Sequence, residues 1–355
     1  MAEGGESMIK MIKQISLMLI SAGLLLILGG FASVDFDVYK LSTVIDEEVV
    51  YRTETIPLDE IRKLTVSVSY SDLVIETSPT DDFVITYPES ESLQYNLNVT
   101  SNRIDLEKKS VLKLMNWFTI TDREDTVVTI QVPKAFKGVL AVNGSHGDAQ
   151  IKDLQSLSMF TVDYKYGDCW LTSIDAESAS LQFAHGKSVL ENFQCESLSI
   201  EDGYMESEYD TLKISEDLRI SSSHGSVEMS NVEADLMRND FNYSSLTIAD
   251  SKFAEQVNII MAHEDVKIKT SSMAGLCVDG NYVNLQLQDN DVQSIYVDLR
   301  HGDVEGTLKG AEDEYSTNAV VTHGDANISS QYREGAKYEL DLMLDYSNAK
   351  LAFTK

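Results

Sequence analysis

The chain has 355 residues, 43% of them hydrophobic, with 28 basic residues against 58 acidic ones and a net charge of −30. The hydrophobic content is that of a folded chain, not a disordered one, and so acidic a balance excludes nucleic acid as a partner, because phosphate contacts need clustered Lys and Arg. The charge also disfavours lying on an anionic membrane surface, while it suits a solvated exterior or attraction for cations and cationic peptides.

Ile15–Val34 reads ISLMLISAGLLLILGGFASV, twenty residues without a charge. At ~1.5 Å per helical residue such a run just crosses a ~30 Å hydrocarbon layer, so a transmembrane helix is expected. Lys10 and Lys13 precede it, and Asp35 and Asp37 follow. The positive-inside bias then makes residues 1–14 a cytoplasmic tail and places everything after Val34 outside the cell membrane, in a single-pass arrangement. A cleaved signal peptide is the rival, since small residues stand before Ser33; the domain would then be secreted. Residues 35–58 are acidic and aperiodic, and read as a stalk.

Residues 59–140 form a strand-rich lead-in. LTVSVSYSDLVIETS has a strand, a Tyr-Ser-Asp corner at Tyr70 and a second strand; DFVITY, LQYNLNV, NRIDLEK and DTVVTIQVP follow. This region is placed to cap an array behind it, with Trp117 and Phe118 packing the lid.

From residue 141 to 355 one phrase recurs, and all six histidines of the chain lie in it. They stand at His146, His185, His224, His263, His301 and His323; between them come Tyr166, Tyr204, Tyr243, Tyr282 and finally Tyr346. The first five histidines are 39, 39, 39 and 38 residues apart. Counted from each ring, apolar residues fall two, four and often six places before, and three and five places after, which is the period of half-buried strands. The parity changes at the ring, so the chain bends there. Glycines such as Gly147 and Gly167 suit a bend through their tolerance of positive φ, and the aspartates that follow, such as Asp148 and Asp168, can accept turn amides.

A twenty-residue strand-corner-strand module cannot bury its own apolar face, so copies must stack. The expected fold is all-β: a β-solenoid of these modules, whose coils pair at ~4.8 Å. Two modules per coil are preferred, because the 39-residue spacing is held more tightly than the 20-residue one. Histidines would then line one corner and tyrosines the other. With one module per coil, His and Tyr would alternate along a single corner. A column of imidazoles ~5 Å apart could ligate transition metals or resist protonation; a stack of rings that merely marks the corners is the reading adopted. No metal or cofactor is expected. Cys169, Cys195 and Cys277 have no CxxC spacing, and Cys169 fills a slot held elsewhere by Val, Leu or Ala, hence a small core residue.

The order of apolar segment, VTIQVP strand at Val132–Pro133 and reiterated HGD or YGD corners resembles the bacterial putative-adhesin domain family, a domain of unknown function, over roughly residues 60–355. That resemblance implies an extracytoplasmic β-solenoid without established catalytic residues, some relatives belonging to envelope-stress or antimicrobial-peptide response systems. The expected function is a non-catalytic, adhesin-like binding or scaffold role in the cell envelope, with envelope polymers as partners. A stress accessory that senses cationic peptides and reports to a membrane partner protein is the alternative. A polysaccharide-active enzyme is more distant, because evenly repeated aspartates are the opposite of a unique pair of carboxylates, and no GxSxG, HExxH or Walker loop occurs.

Overall fold

The computed structural model describes residues 3–33, 48–90, 93–109 and 126–354. Trp117, Phe118 and most of the expected stalk lie outside the described residues. Two compact units make up the chain: residues 1–50, 89–94 and 110–125 in one, and residues 51–88, 95–109 and 126–355 in the other.

The first unit contains a helix, Glu3–Ser33, which begins inside the expected tail and takes in most of the uncharged run. Its described side chains are largely exposed, Leu17, Met18, Leu25 and Leu26 among them. Among the described residues no helix is long and apolar enough to cross a membrane, so the expected transmembrane helix at Ile15–Val34 is not supported there.

The second unit is all-β and winds as a solenoid. Its long strands, Ala149–Lys165, Cys169–Cys195, Ser197–Ser230, Glu233–Ala249, Lys252–Lys269 and Ser272–Arg300, pair in parallel with their successors. The offset gives the coil length. Val162 lies beside Leu181, and Leu181 beside Ile200; Asn239 lies beside Ile259, and Ile259 beside Val278. Each coil therefore closes in 19 or 20 residues, and the expectation of two modules per coil is corrected to one. Twenty residues at ~3.3 Å give roughly 65 Å of contour, enough to run out and back with corners between. Alternate side chains fill the interior: Phe160, Phe183, Phe193, Phe241, Leu285 and Leu299 are all but fully buried.

Both ends depart from sequential winding in the same way. At the start, strand Lys63–Ser69 lies between Arg103–Lys108 on one side and Val139–Ser145 on the other, and Asp72–Ser78 likewise pairs with both Val127–Pro133 and Ala149–Ile151. Residues 63–78 thus form a coil of the stack, and the segments that follow them in sequence lie outside it. At the far end, Tyr338–Asp345 is inserted between Ser294–Arg300 and Tyr315–Thr322, so the last residues of the chain form the penultimate layer. The terminal strand Tyr315–Thr322 has its outer edge occupied. Arg333 Nη1 donates to Tyr315 O at 2.8 Å, Gln331 exchanges both backbone bonds with Thr317, and Ser330 Oγ serves Ala319 N and O at 2.9 and 3.2 Å. An open edge invites growth by addition of another chain, and at the inner end the antiparallel strands Asp82–Glu89 and Tyr95–Val99 break the parallel register.

Candidate functional site

One coil per module brings every histidine and its alternating tyrosines into a single column. In spatial order the rings are Tyr70, His146, Tyr166, His185, Tyr204, His224, Tyr243, His263, Tyr282, His301, Tyr346 and His323. Successive centroids are 4.3–5.2 Å apart, and the planes are within 23° of parallel. Two corners, one of histidines and one of tyrosines, do not exist. The two last members are exchanged relative to the chain, because the inserted strand carries Tyr346 beneath His323. Lys108 Nζ caps the first ring, 5.1 Å from the centroid of Tyr70.

Every ring residue has left-handed backbone, with φ between 53° and 61°. The strained conformation expected of the glycines therefore belongs to the rings. It costs on the order of 1 kcal/mol at a non-glycine residue, and stacking against a neighbour returns a comparable ~0.5–1.5 kcal/mol per pair. That balance accounts for aromatic side chains at a corner where glycine or asparagine would be the default. The glycines that follow have a different task. A Cβ on Gly167 would stand 1.8 Å from the carbonyl oxygen of Gly147, and one on Gly302 would stand 1.9 Å from that of Val283. They allow adjacent coils to approach at the bend.

The aspartates two places after the rings tie one coil to the next. Asp72 Oδ1 accepts the amide of Asp148 at 2.8 Å, Asp148 Oδ1 that of Asp168 at 3.0 Å, and Asp168 Oδ1 that of Lys187 at 2.8 Å. Asp303 does the same for Asn348 near the far end. Their expected acceptance of turn amides is thus corrected: the amide belongs to the neighbouring coil. A second left-handed corner lies seven places after the rings, at Asp153, Ser173, Asn192, Thr211, Asn231, Asp250, Thr270 and Asp289. Sequence reasoning missed it because four residue types share it.

The rings form a ridge, not a cavity. The tyrosines of the column are 47–56% exposed, and the histidines are exposed except for half-buried His263. No two imidazoles touch, since a phenol ring separates each pair, so neither a bis-imidazole metal site nor a run of adjacent imidazolium charges is available. Among the described residues no three His, Cys, Asp or Glu side chains converge as metal ligands. Cys169 and Cys195 are buried, whereas Cys277 is only partly so; burial pushes the Cys195 thiol up to about 12.

Two further features escaped the sequence. A polar group is sealed in the core, where Asp202 takes the slot two places before Tyr204 that Phe183 and Met261 fill elsewhere. Tyr209 Oη and Ser207 Oγ donate to its Oδ2 at 2.6 and 2.8 Å, and its Oδ1 has no protein partner. Burial raises this carboxyl to about 6, against the lowering influence of those two hydrogen bonds. Its signal was an acid on an otherwise apolar stripe. The second feature is an open groove of about 750 Å³, where small Ala176, Ala234 and Ala254 are rimmed by acids including Glu177, Glu196 and Asp235, with Lys213 and Lys252 among them. It follows the edge where coil registers shift, between Ile174 and Ala176 and between Ala234 and Met237.

Coils of one module, left-handed aromatic corners and amide-accepting aspartates define a parallel β-solenoid with a ring ladder along one edge. The chain belongs to the Toastrack family, DUF4097, whose model matches residues 61–216 and again 201–344; this agrees with the resemblance to the putative-adhesin domain of unknown function. Among solved structures, a putative adhesin from Bacteroides fragilis aligns over 73% of this chain and 97% of its own, with 11% identity and a TM-score of 0.37. A putative lipid binding protein from Parabacteroides distasonis aligns over 72% and 96% (12% identity, TM-score 0.36), and a putative adhesin from the same organism over 86% and 98% (10%, 0.36). Similarity at this level carries nothing about ligands. No curated protein matches the chain.

Proposed function

We propose that this chain is a non-catalytic, adhesin-like binding or scaffold protein of the cell envelope, held at the membrane by its N-terminal helix with the solenoid on the outer side. The exposed apolar side chains of the helix, Leu17, Met18, Leu25 and Leu26 among them, and Lys10 and Lys13 ahead of its uncharged run support the tether. The observation that carries the binding role is the ring ridge: twelve half-exposed aromatic or imidazole edges in line, on coils locked by parallel ladders and side-chain hydrogen bonds. At ~4.8 Å per coil it is roughly 50 Å long. Such a surface offers repeated weak contacts to an extended polymer and has no enclosed centre for chemistry. Asp72, Asp148, Asp168 and Asp303 beside it accept backbone amides from the neighbouring coil, instead of facing each other across a cleft.

The test is retention of the full chain by purified cell walls across a salt series. Retention that persists at 0.5–1 M salt, where the Debye length falls to ~3–4 Å, is expected; passage through the column at every salt concentration overturns the reading. A second reading, capture of cationic peptides for a stress response, is favoured by the acid-rimmed groove. It predicts peptide binding that vanishes in salt and is lost with Glu177→Gln, Glu196→Gln and Asp235→Asn together.

A further inference from the structure

The fold repeats every coil, yet the chemistry of the ridge repeats every two. The alternation reaches the residue after each ring, which is Gly behind five of the six histidines (Gly147, Gly186, Gly225, Gly302 and Gly324) and behind one tyrosine (Gly167). It does not reach the interior: two places before the rings stand Tyr164, Phe183, Asp202, Ser222, Phe241 and Met261, which do not alternate. Stacking does not demand the alternation, because a phenol ring would fill every slot.

We propose that the ridge binds a linear, uncharged β-1,4-linked glycan laid along the solenoid axis, with one disaccharide facing each Tyr–His pair. This rests on the reading above that the ridge is a binding surface. The period is the first argument. Two coils span roughly 9.6 Å, close to the repeat of a β-1,4 chain, in which successive sugars are flipped so that equivalent hydroxyls recur every second unit. The second argument is chemistry. Stacked rings turn their edges outward, so the ridge offers phenol hydroxyls and imidazole nitrogens in alternation, a set of donors and acceptors suited to sugar hydroxyls. Access is the third. Along the middle of the ridge, from His185 to Tyr282, the residues just before the rings are Ala184, Gly203, Ser223, Asn242, Ala262 and Asn281, all small and uncharged, with Lys165 and Arg300 bounding that stretch. Charge is the fourth: the aspartates on the opposite flank, Asp148, Asp168, Asp265 and Asp303, disfavour a polyanionic polymer.

The experiment compares the full chain with a variant in which His146, His185, His224, His263, His301 and His323 are all changed to Tyr, which keeps a ring in each slot and erases the two-coil period. A second variant, Tyr204→His with His224→Tyr, keeps the composition and breaks the alternation locally. Each is measured against β-1,4-linked N-acetylglucosamine hexamer and against dextran, with melting curves to confirm folding. The wild type is expected to bind the hexamer and not dextran. The six-fold variant should bind at least tenfold more weakly, and the exchange variant should lose affinity measurably, both at near-native melting temperature. Equal binding by wild type and a folded six-fold variant, no discrimination between the two glycans, or no binding of the hexamer at all overturns the proposal. If purified walls still retain the protein in those cases, the envelope-binding reading stands and only the periodic glycan falls; loss of wall retention removes both.

Discussion

Asp202 shows how much one residue can hold against the fold. Its folded-state carboxyl sits near 6 against 3.8 for the ordinary group, with burial as the main cause. A folded pKa above the unfolded one means that the native state binds the proton more tightly. The carboxylate therefore costs stability above about 6, and the cost is relieved as pH falls toward 4. Asp202→Asn should raise stability at pH 7.5 by on the order of 2–3 kcal/mol. The difference between variant and wild type should shrink in melting curves recorded at pH 5; a constant difference would show that the carboxyl does not titrate in this range. Two glycines make a sharper steric pair. Gly167→Ala meets the Gly147 carbonyl and should cost ~1–3 kcal/mol or more, whereas Gly203→Ala, whose nearest neighbour is Ser223 Oγ at 3.8 Å, should stay within about 0.5 kcal/mol. Chemical denaturation of both separates crowding from a general demand for glycine at the bend.

At the scale of the coil, the strands were legible and the closure was not. Alternation around Val227 and Met229, or Ile259 and Met261, follows from which side chains must leave water, and a sequence records that directly. The coil length is recorded ambiguously, since modules of twenty residues and pairs of thirty-nine obey the same alternation. What decides is the second corner. Its left-handed backbone is met by Asp, Asn, Ser or Thr, each able to bond locally or to the next coil, as Thr270 Oγ1 does to Asp250 at 2.6 Å. No single letter marks it. Thr211 and Thr270 are the poor fits there, β-branched at φ 56° and 45°, and Thr211→Asn should stabilise the protein by about 0.5–1 kcal/mol; a loss in urea titration would mean that the hydroxyl bond of Thr211 to Asp210, at 2.9 Å, outweighs the backbone gain. The ring site was half legible. All eleven ring positions from His146 onward could be listed, but their union in one column, with Tyr70 beneath, depended on the coil.

For the solenoid as a whole, the ends matter as much as the repeat. The inserted strands at 63–69 and 338–345 lie between segments distant in sequence, and nothing local announces such a pairing. Their effect is that Tyr338–Asp345, which follows Tyr315–Thr322 in sequence, is buried in the stack, while Tyr315–Thr322 is left outermost with its edge bonded by Ser330, Gln331 and Arg333. Ser330→Ala with Arg333→Ala should expose that edge and produce concentration-dependent association in sedimentation velocity, relative to the wild type; identical profiles would show that the cap is dispensable. The winding itself is the premise of the ring column and of any ligand laid along it. With Cys277 changed to Ser, Gln182→Cys is combined either with Glu201→Cys, its partner in register on the next coil, or with Ser221→Cys, 39 residues on. Adjacent coils bring Cα atoms within the ~4.4–6.8 Å that a disulfide accepts, and two coils do not. Rapid oxidation of the 182/201 pair with none at 182/221 is the outcome expected of one module per coil; the reverse pattern would dismantle the column.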